Sequence, residues 1–117
     1  FEKVERVVAE SSEFSSYAPK FYQELTWPET YDALETFGFC VGVMLANPDD
    51  PKQAVIEAVN LGRDNDSTAT LVGGLMGARF GSSAWNDSWI KTIKDANPEI
   101  DFEGHIDALT EIAMMNS

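Results

Sequence analysis

The stretch Gly62-Arg63-Asp64-Asn65-Asp66-Ser67-Thr68-Ala69 sets two carboxylates on either side of one residue and follows the second directly with a hydroxyl. Asp64, Asp66 and Ser67 offer hard oxygen donors, the kind that suit Mg²⁺, Ca²⁺ or Mn²⁺, and no His or Cys stands nearby in sequence to favour zinc. The same residues have a structural use. Asp and Ser accept from the free N–H groups of a helix start, and Asp complements the positive end of the helix dipole. Spacing leaves both readings open. An EF-hand does not fit: with Asp64 as first residue, the fifth is Thr68, the sixth is Ala69 instead of Gly, and the twelfth is Leu75 instead of Glu. A phosphate-binding loop does not fit either, since Gly73 to Gly81 lacks a Gly-Lys-Ser/Thr ending and follows no strand signal.

Helices must position these donors, because sustained period-two alternation and Asn-Gly or Asp-Gly hairpin turns are absent from the sequence. Val4, Val7 and Val8 predict a short amphipathic helix that ends in a serine loop, Ser11 to Ser16. A second short helix is expected over Ala18 to Leu25. Thr26-Trp27-Pro28-Glu29 then reads as a capping box opening a helix that runs to Ala46. Phe37, Phe39, Val41, Val43, Met44 and Leu45 point to every side of that helix, so its second half is expected to be surrounded by protein. Asp50, Pro51 and Gln53 start the next helix, which turns Ala54, Val55, Ala58 and Val59 inward and stops at Gly62.

After the polar turn Arg63-Asp64-Asn65-Asp66, Ser67 to Phe80 reads as a helix with small residues every four positions, at Ala69, Gly73, Gly77 and Gly81 and at Thr70, Gly74 and Ala78. Each Gly costs about 1 kcal/mol against Ala in a helix, so close packing or a bound ligand is expected to compensate. Two more helices, Trp85 to Lys94 and Glu103 to Met115, are expected to bury Trp89, Ile90 and Ile93 on one face and Ile106, Leu109, Ile112 and Ala113 on another. The expected fold class is all-α, a compact multi-helix body of six or seven helices in one domain of 117 residues.

Twenty Asp and Glu against eight Lys and Arg give a net charge of -12, which repels phosphate backbones and anionic membranes, so a nucleic-acid partner is not expected. The longest apolar run, Phe37 to Ala46, is well short of the roughly 20 residues of a membrane span. One cysteine, Cys40, allows no internal disulfide and suits a reducing, cytoplasmic setting, to which a removed N-terminal signal is the alternative. Cys40 lies among apolar neighbours and is expected to be a small buried hydrophobe. His105 is expected in the loop or first turn before the last helix without a catalytic role. Trp27, Trp85, Trp89, Met114 and Met115 are expected to pack.

The run from Ala54 to Ala69, continued by Gly73-Gly74, Gly77-Ala78 and Gly81, resembles the C-terminal motif of the ADP-ribosylglycohydrolases. That motif reads Ala-Val-x-x-Gly-Gly-Asp-Thr-Asp-Thr-x-Ala and then Gly-x-x-x-Gly-Ala. The resemblance spans Thr30 to Ile93. It implies a helical hydrolase in which Asp64, Asp66 and Ser67 ligate part of a two-metal Mg²⁺ centre that holds the ribose of an ADP-ribosylated substrate. Ser67 replaces the commoner Thr and keeps the hydroxyl. Arg63 stands where the family usually has Gly; a contact to a substrate diphosphate and neutralisation of Asp64 or Asp66 are both open to it. The family's other metal motif, a Gly-rich stretch leading to Asp-Asp-Thr, has no counterpart in the sequence, which begins at Phe1. The chain is therefore expected to be the C-terminal portion of such a fold, with the N-terminal portion or another chain completing the site. The alternative is a non-catalytic binding or structural protein of the same fold, with Asp64 and Asp66 as helix caps.

Overall fold

The computed structural model describes residues 1–26 and 32–115. Among them seven α-helices form, α1 (Glu2–Glu10), α2 (Phe14–Leu25), α3 (Ala33–Ala46), α4 (Pro51–Asn60), α5 (Asn65–Phe80), α6 (Asp87–Ala96) and α7 (Phe102–Met115), with a 3₁₀ turn at Ser82–Ala84 and no strand. The fold is all-α. The chain divides into two units, Phe1–Ala84 and Trp85–Ser117. No described helix is long and apolar enough to cross a membrane.

In the first unit α3 is the central element and touches α1, α2, α4 and α5. Its Phe39, Cys40 and Val43 meet Val4 and Val7 of α1, Tyr17 and Phe21 of α2, Ala54 and Ala58 of α4, and Val72 and Met76 of α5 in one buried core. Cys40 is buried as expected, its Sγ 3.9 Å from Met44 Sδ, and burial pushes its thiol pKa up, which keeps the thiolate scarce.

Several expected boundaries move, α5 beginning at Asn65 instead of Ser67 and α6 running over Asp87–Ala96. Ser15 and Ser16 belong to α2, so the loop is confined to Ser11–Glu13. Serines are tolerated in a first turn, where N–H groups lack intrahelical partners, and extending the helix aligns Phe14 edge-on to Tyr17 at 5.5 Å. Helix α3 begins at Ala33, where Asp32 Oδ1 accepts from Leu34 N at 2.7 Å. The capping box expected over Thr26–Glu29 lies, beyond Thr26, outside the described residues. Helix α4 starts as expected, with Asp50 Oδ1 accepting from Gln53 N at 3.0 Å.

Expected burial is corrected in three places. Leu34, Phe37 and Leu45 of α3 are exposed, so within this unit one side of the apolar helix faces outward. In α4 Val59 points out and Glu57 points in. In the second unit α6 and α7 bury no residue: Ile93, Ile106, Leu109 and Ile112 are all more than half exposed, and Met114 and Met115 more so. Helical periodicity groups these side chains on faces, but among the described residues of the second unit α6 and α7 do not bury them against each other. An ion pair between Lys94 and Glu103 and a turn at Asn97, whose Nδ2 donates to Ile93 C=O at 2.8 Å, link the two helices.

Glu57 is stitched to its surroundings by three donors: Tyr17 Oη at 2.5 Å, Gln53 Nε2 at 3.0 Å and Asn47 Nδ2. This network ties α2 and the end of α3 to α4. Burial first, and the Glu57 hydrogen bond second, raise the Tyr17 pKa well above its ordinary 10.0. The native fold therefore keeps the phenol protonated. Its contribution to stability is complete below about pH 10 and falls as pH rises further, because the unfolded chain releases the proton while the native chain holds it. Tyr17→Phe should thus flatten the alkaline loss of stability by up to ~1.4 kcal/mol per pH unit. Melting curves of both chains across alkaline pH check this, and parallel slopes would contradict it.

Candidate metal centre

The candidate donors sit where α4 gives way to α5. Leu61 is buried, and its carbonyl accepts from Tyr22 Oη, which fastens the end of α4 to α2. Two left-handed residues follow, Gly62 with φ +73 and Arg63 with φ +54. The first suits glycine, and a Cβ there would also approach Tyr22 Oη to 3.1 Å. The second is unusual, since a left-handed conformation costs a non-glycine residue about 1–2 kcal/mol.

The guanidinium of Arg63 offsets that strain. Its Nε and Nη2 donate to the two carboxylate oxygens of Glu35, the latter at 3.1 Å. Glu35 is 4% exposed and is the one charged residue of α3. This pairing, with a carboxylate 28 residues away, is a partner that neither role expected for Arg63 named. A fork-shaped pair of parallel bonds to a buried carboxylate is stronger than an exposed contact to an adjacent one.

Asp64 occupies the cap position of α5. Its backbone carbonyl accepts from Thr68 N at 3.1 Å and from Thr68 Oγ1 at 3.0 Å, but its carboxylate makes no capping bond. Asn65 Nδ2 reaches back to Val59 C=O at 3.1 Å. Asp66 and Ser67 lie in the first turn of α5, Asp66 exposed, Asp64 and Ser67 half-buried. The loop is thus held by bonds to backbone carbonyls, and none of them uses the carboxylate of Asp64 or Asp66.

Among the described residues no three His, Cys, Asp or Glu side chains come close enough to hold a metal. Asp64, Asp66 and Ser67 fit a hard cation by donor type, yet they supply at most half of the roughly six oxygens Mg²⁺ takes. The positive end of α5, equivalent to about half an elementary charge, opposes a cation there, and the two carboxylates outweigh it. The two acidic residues at Asp49 and Asp50 do not add to the set: Asp50 caps α4, and Asp49 pairs with Arg79 at 3.4 Å. His105 lies in α7, exposed, in the second unit.

Sequence reasoning passed over Glu35, Tyr22 and Thr68, which shape the loop. A lone carboxylate in an otherwise apolar helix was the available signal for Glu35, because a buried charge requires a partner. Tyr22 and Thr68 carried no comparable mark. The model of the ADP-ribosylglycohydrolase family matches residues 1–116 of the chain. No curated protein and no solved structure matches it.

Proposed function

The chain belongs to the ADP-ribosylglycohydrolase family, and on that premise we propose that Asp64, Asp66 and Ser67 form one side of a Mg²⁺ site at which ADP-ribose is hydrolysed from a modified protein side chain or small molecule. The observation that carries this reading is Asp64, a half-buried residue that stands at a helix cap position without its carboxylate capping the helix. A residue kept for capping would direct that oxygen at the N–H of the second or third residue of α5.

In this reading Asp64 and Asp66 supply two negative charges against the α5 dipole, and Ser67 adds a neutral oxygen. The bound ions supply orientation of a sugar diol and neutralisation of charge that develops as the glycosidic bond breaks. The remaining ligands come from the N-terminal portion of the fold or from another chain. The Nε and Nη2 edge of Arg63 is turned to Glu35, so Arg63 acts behind the carboxylates more than on a substrate diphosphate.

That no third acidic ligand joins Asp64 and Asp66 among the described residues leaves room for a second reading, a non-catalytic binding or structural protein of the same family. Melting with and without Mg²⁺ separates the two. A tenfold excess over Kd stabilises the native state by ~1.4 kcal/mol, or about 4–6 °C for a chain of this size. That shift is expected in the native sequence and should vanish in Asp64→Asn and Asp66→Asn. Absence of any Mg²⁺-dependent shift would sink the metal site. A shift without release of ADP-ribose from an ADP-ribosylated protein would select the binding role.

A further inference from the structure

We infer that Glu35 is a positioning residue for Asp64, acting through Arg63, an inference that rests on the metal-site reading above. Asp64 follows Arg63 directly, so the direction in which its carboxylate leaves the chain depends on the backbone of Arg63. That backbone is left-handed, at φ +54, a conformation that a non-glycine residue leaves unless something holds it. A hold on it comes from outside the loop: both oxygens of buried Glu35, on the central helix α3, engage the guanidinium. The other fasteners act elsewhere. Tyr22 fixes Leu61 C=O, Asn65 fixes Val59 C=O, and Thr68 fixes Asp64 C=O. None of these three bonds sets the conformation of Arg63.

Asp66 and Ser67 are carried by the first turn of α5, whose own backbone bonds hold them. Asp64 is the member of the set placed by the loop. Glu35 therefore decides whether the two carboxylates converge on one cation or diverge, a supporting role that in metal sites is worth about ten- to a hundredfold in affinity.

The test uses Mn²⁺ as the probe, with the full chain, its binding followed by loss of the free-ion electron paramagnetic resonance signal and confirmed with Mg²⁺ by calorimetry. Glu35→Gln, which keeps shape and removes the charge, should weaken Mn²⁺ binding about tenfold or more at temperatures where circular dichroism shows the chain folded. Glu35→Asp, which restores the charge on a shorter stem, should recover part of the loss. If Glu35→Gln does not fold, Arg63→Gln serves instead: it removes the guanidinium while leaving a non-glycine residue at φ +54, and affinity should again fall about tenfold, whereas Arg63→Gly, which accepts the left-handed conformation without the anchor, should keep most of it. A lower melting temperature with unchanged Mn²⁺ affinity in Glu35→Gln and Arg63→Gln means the pair only supports the fold, and overturns the inference. No Mn²⁺ binding by the native sequence, matching that of Asp64→Ala, removes the metal site itself and the inference with it.

Discussion

Glu57→Leu is expected to destabilise the first unit by about 3–4 kcal/mol. The side chain is 6% exposed and accepts from Tyr17 Oη, Asn47 Nδ2 and Gln53 Nε2. Its removal affects the donors unequally. Gln53 is exposed and can turn to water, and Asn47 Nδ2 keeps a bond to Val43 C=O at 3.1 Å. Tyr17 has neither resort, since it is wholly buried, and an orphaned buried hydroxyl costs about 1–3 kcal/mol beyond the charged hydrogen bonds lost. Removing the hydroxyl too should therefore help: Tyr17→Phe combined with Glu57→Leu should lie about 1 kcal/mol above the sum of the single changes. Urea unfolding of the four chains gives the coupling directly. A loss under about 1 kcal/mol for Glu57→Leu, the size seen for exposed carboxylates, would show that water reaches the network.

The same network shows where sequence reading stops. Asp50, Pro51 and Gln53 announce the start of α4 because capping is local, decided within three residues. Glu57 meets Tyr17 across 40 residues, and no periodicity connects them. Val59 was expected inside on apolarity alone, yet Val59 is exposed and Glu57 is buried where three donors converge on it. The all-α class was legible in the spacing of apolar residues, and the family in the order Asp64-Asn65-Asp66-Ser67 followed by the glycines. Burial in α6 and α7 was not, because a hydrophobic face states what a helix can cover without stating that anything covers it. At the candidate site the donors could be named from sequence, whereas the Glu35 and Arg63 pair that shapes their loop is a tertiary fact.

One substitution made at two glycines should give opposite results. Gly42→Ala is expected to destabilise by about 2 kcal/mol, and Gly74→Ala to stabilise by about 1 kcal/mol. Both residues lie inside helices, so both changes gain the same helix propensity, about 1 kcal/mol. Space decides the sign. A Cβ on Gly74 meets nothing within 4 Å, so the close packing expected of this small-residue face does not occur at that position among the described residues. A Cβ on Gly42 would land on the Phe21 ring, 3.2 Å from Cε1 and nearer still to Cζ and Cε2. Phe21 cannot step aside, being wholly buried, stacked on Phe39 at 5.8 Å and braced by Tyr17 at 5.0 Å. Relief must then come from moving α3 off α2, which opens the core along its centre. Gly38, on the same helix, is a control, because its Cβ would make ordinary contact with Leu25 Cδ1 at 3.5 Å and should be accommodated. Urea midpoints at constant m-value rank the three variants. Should Gly42→Ala prove as stable as Gly74→Ala, α2 does not approach α3 this closely, and the contact that seats α3, and with it Glu35 behind the candidate metal loop, would have to be drawn differently.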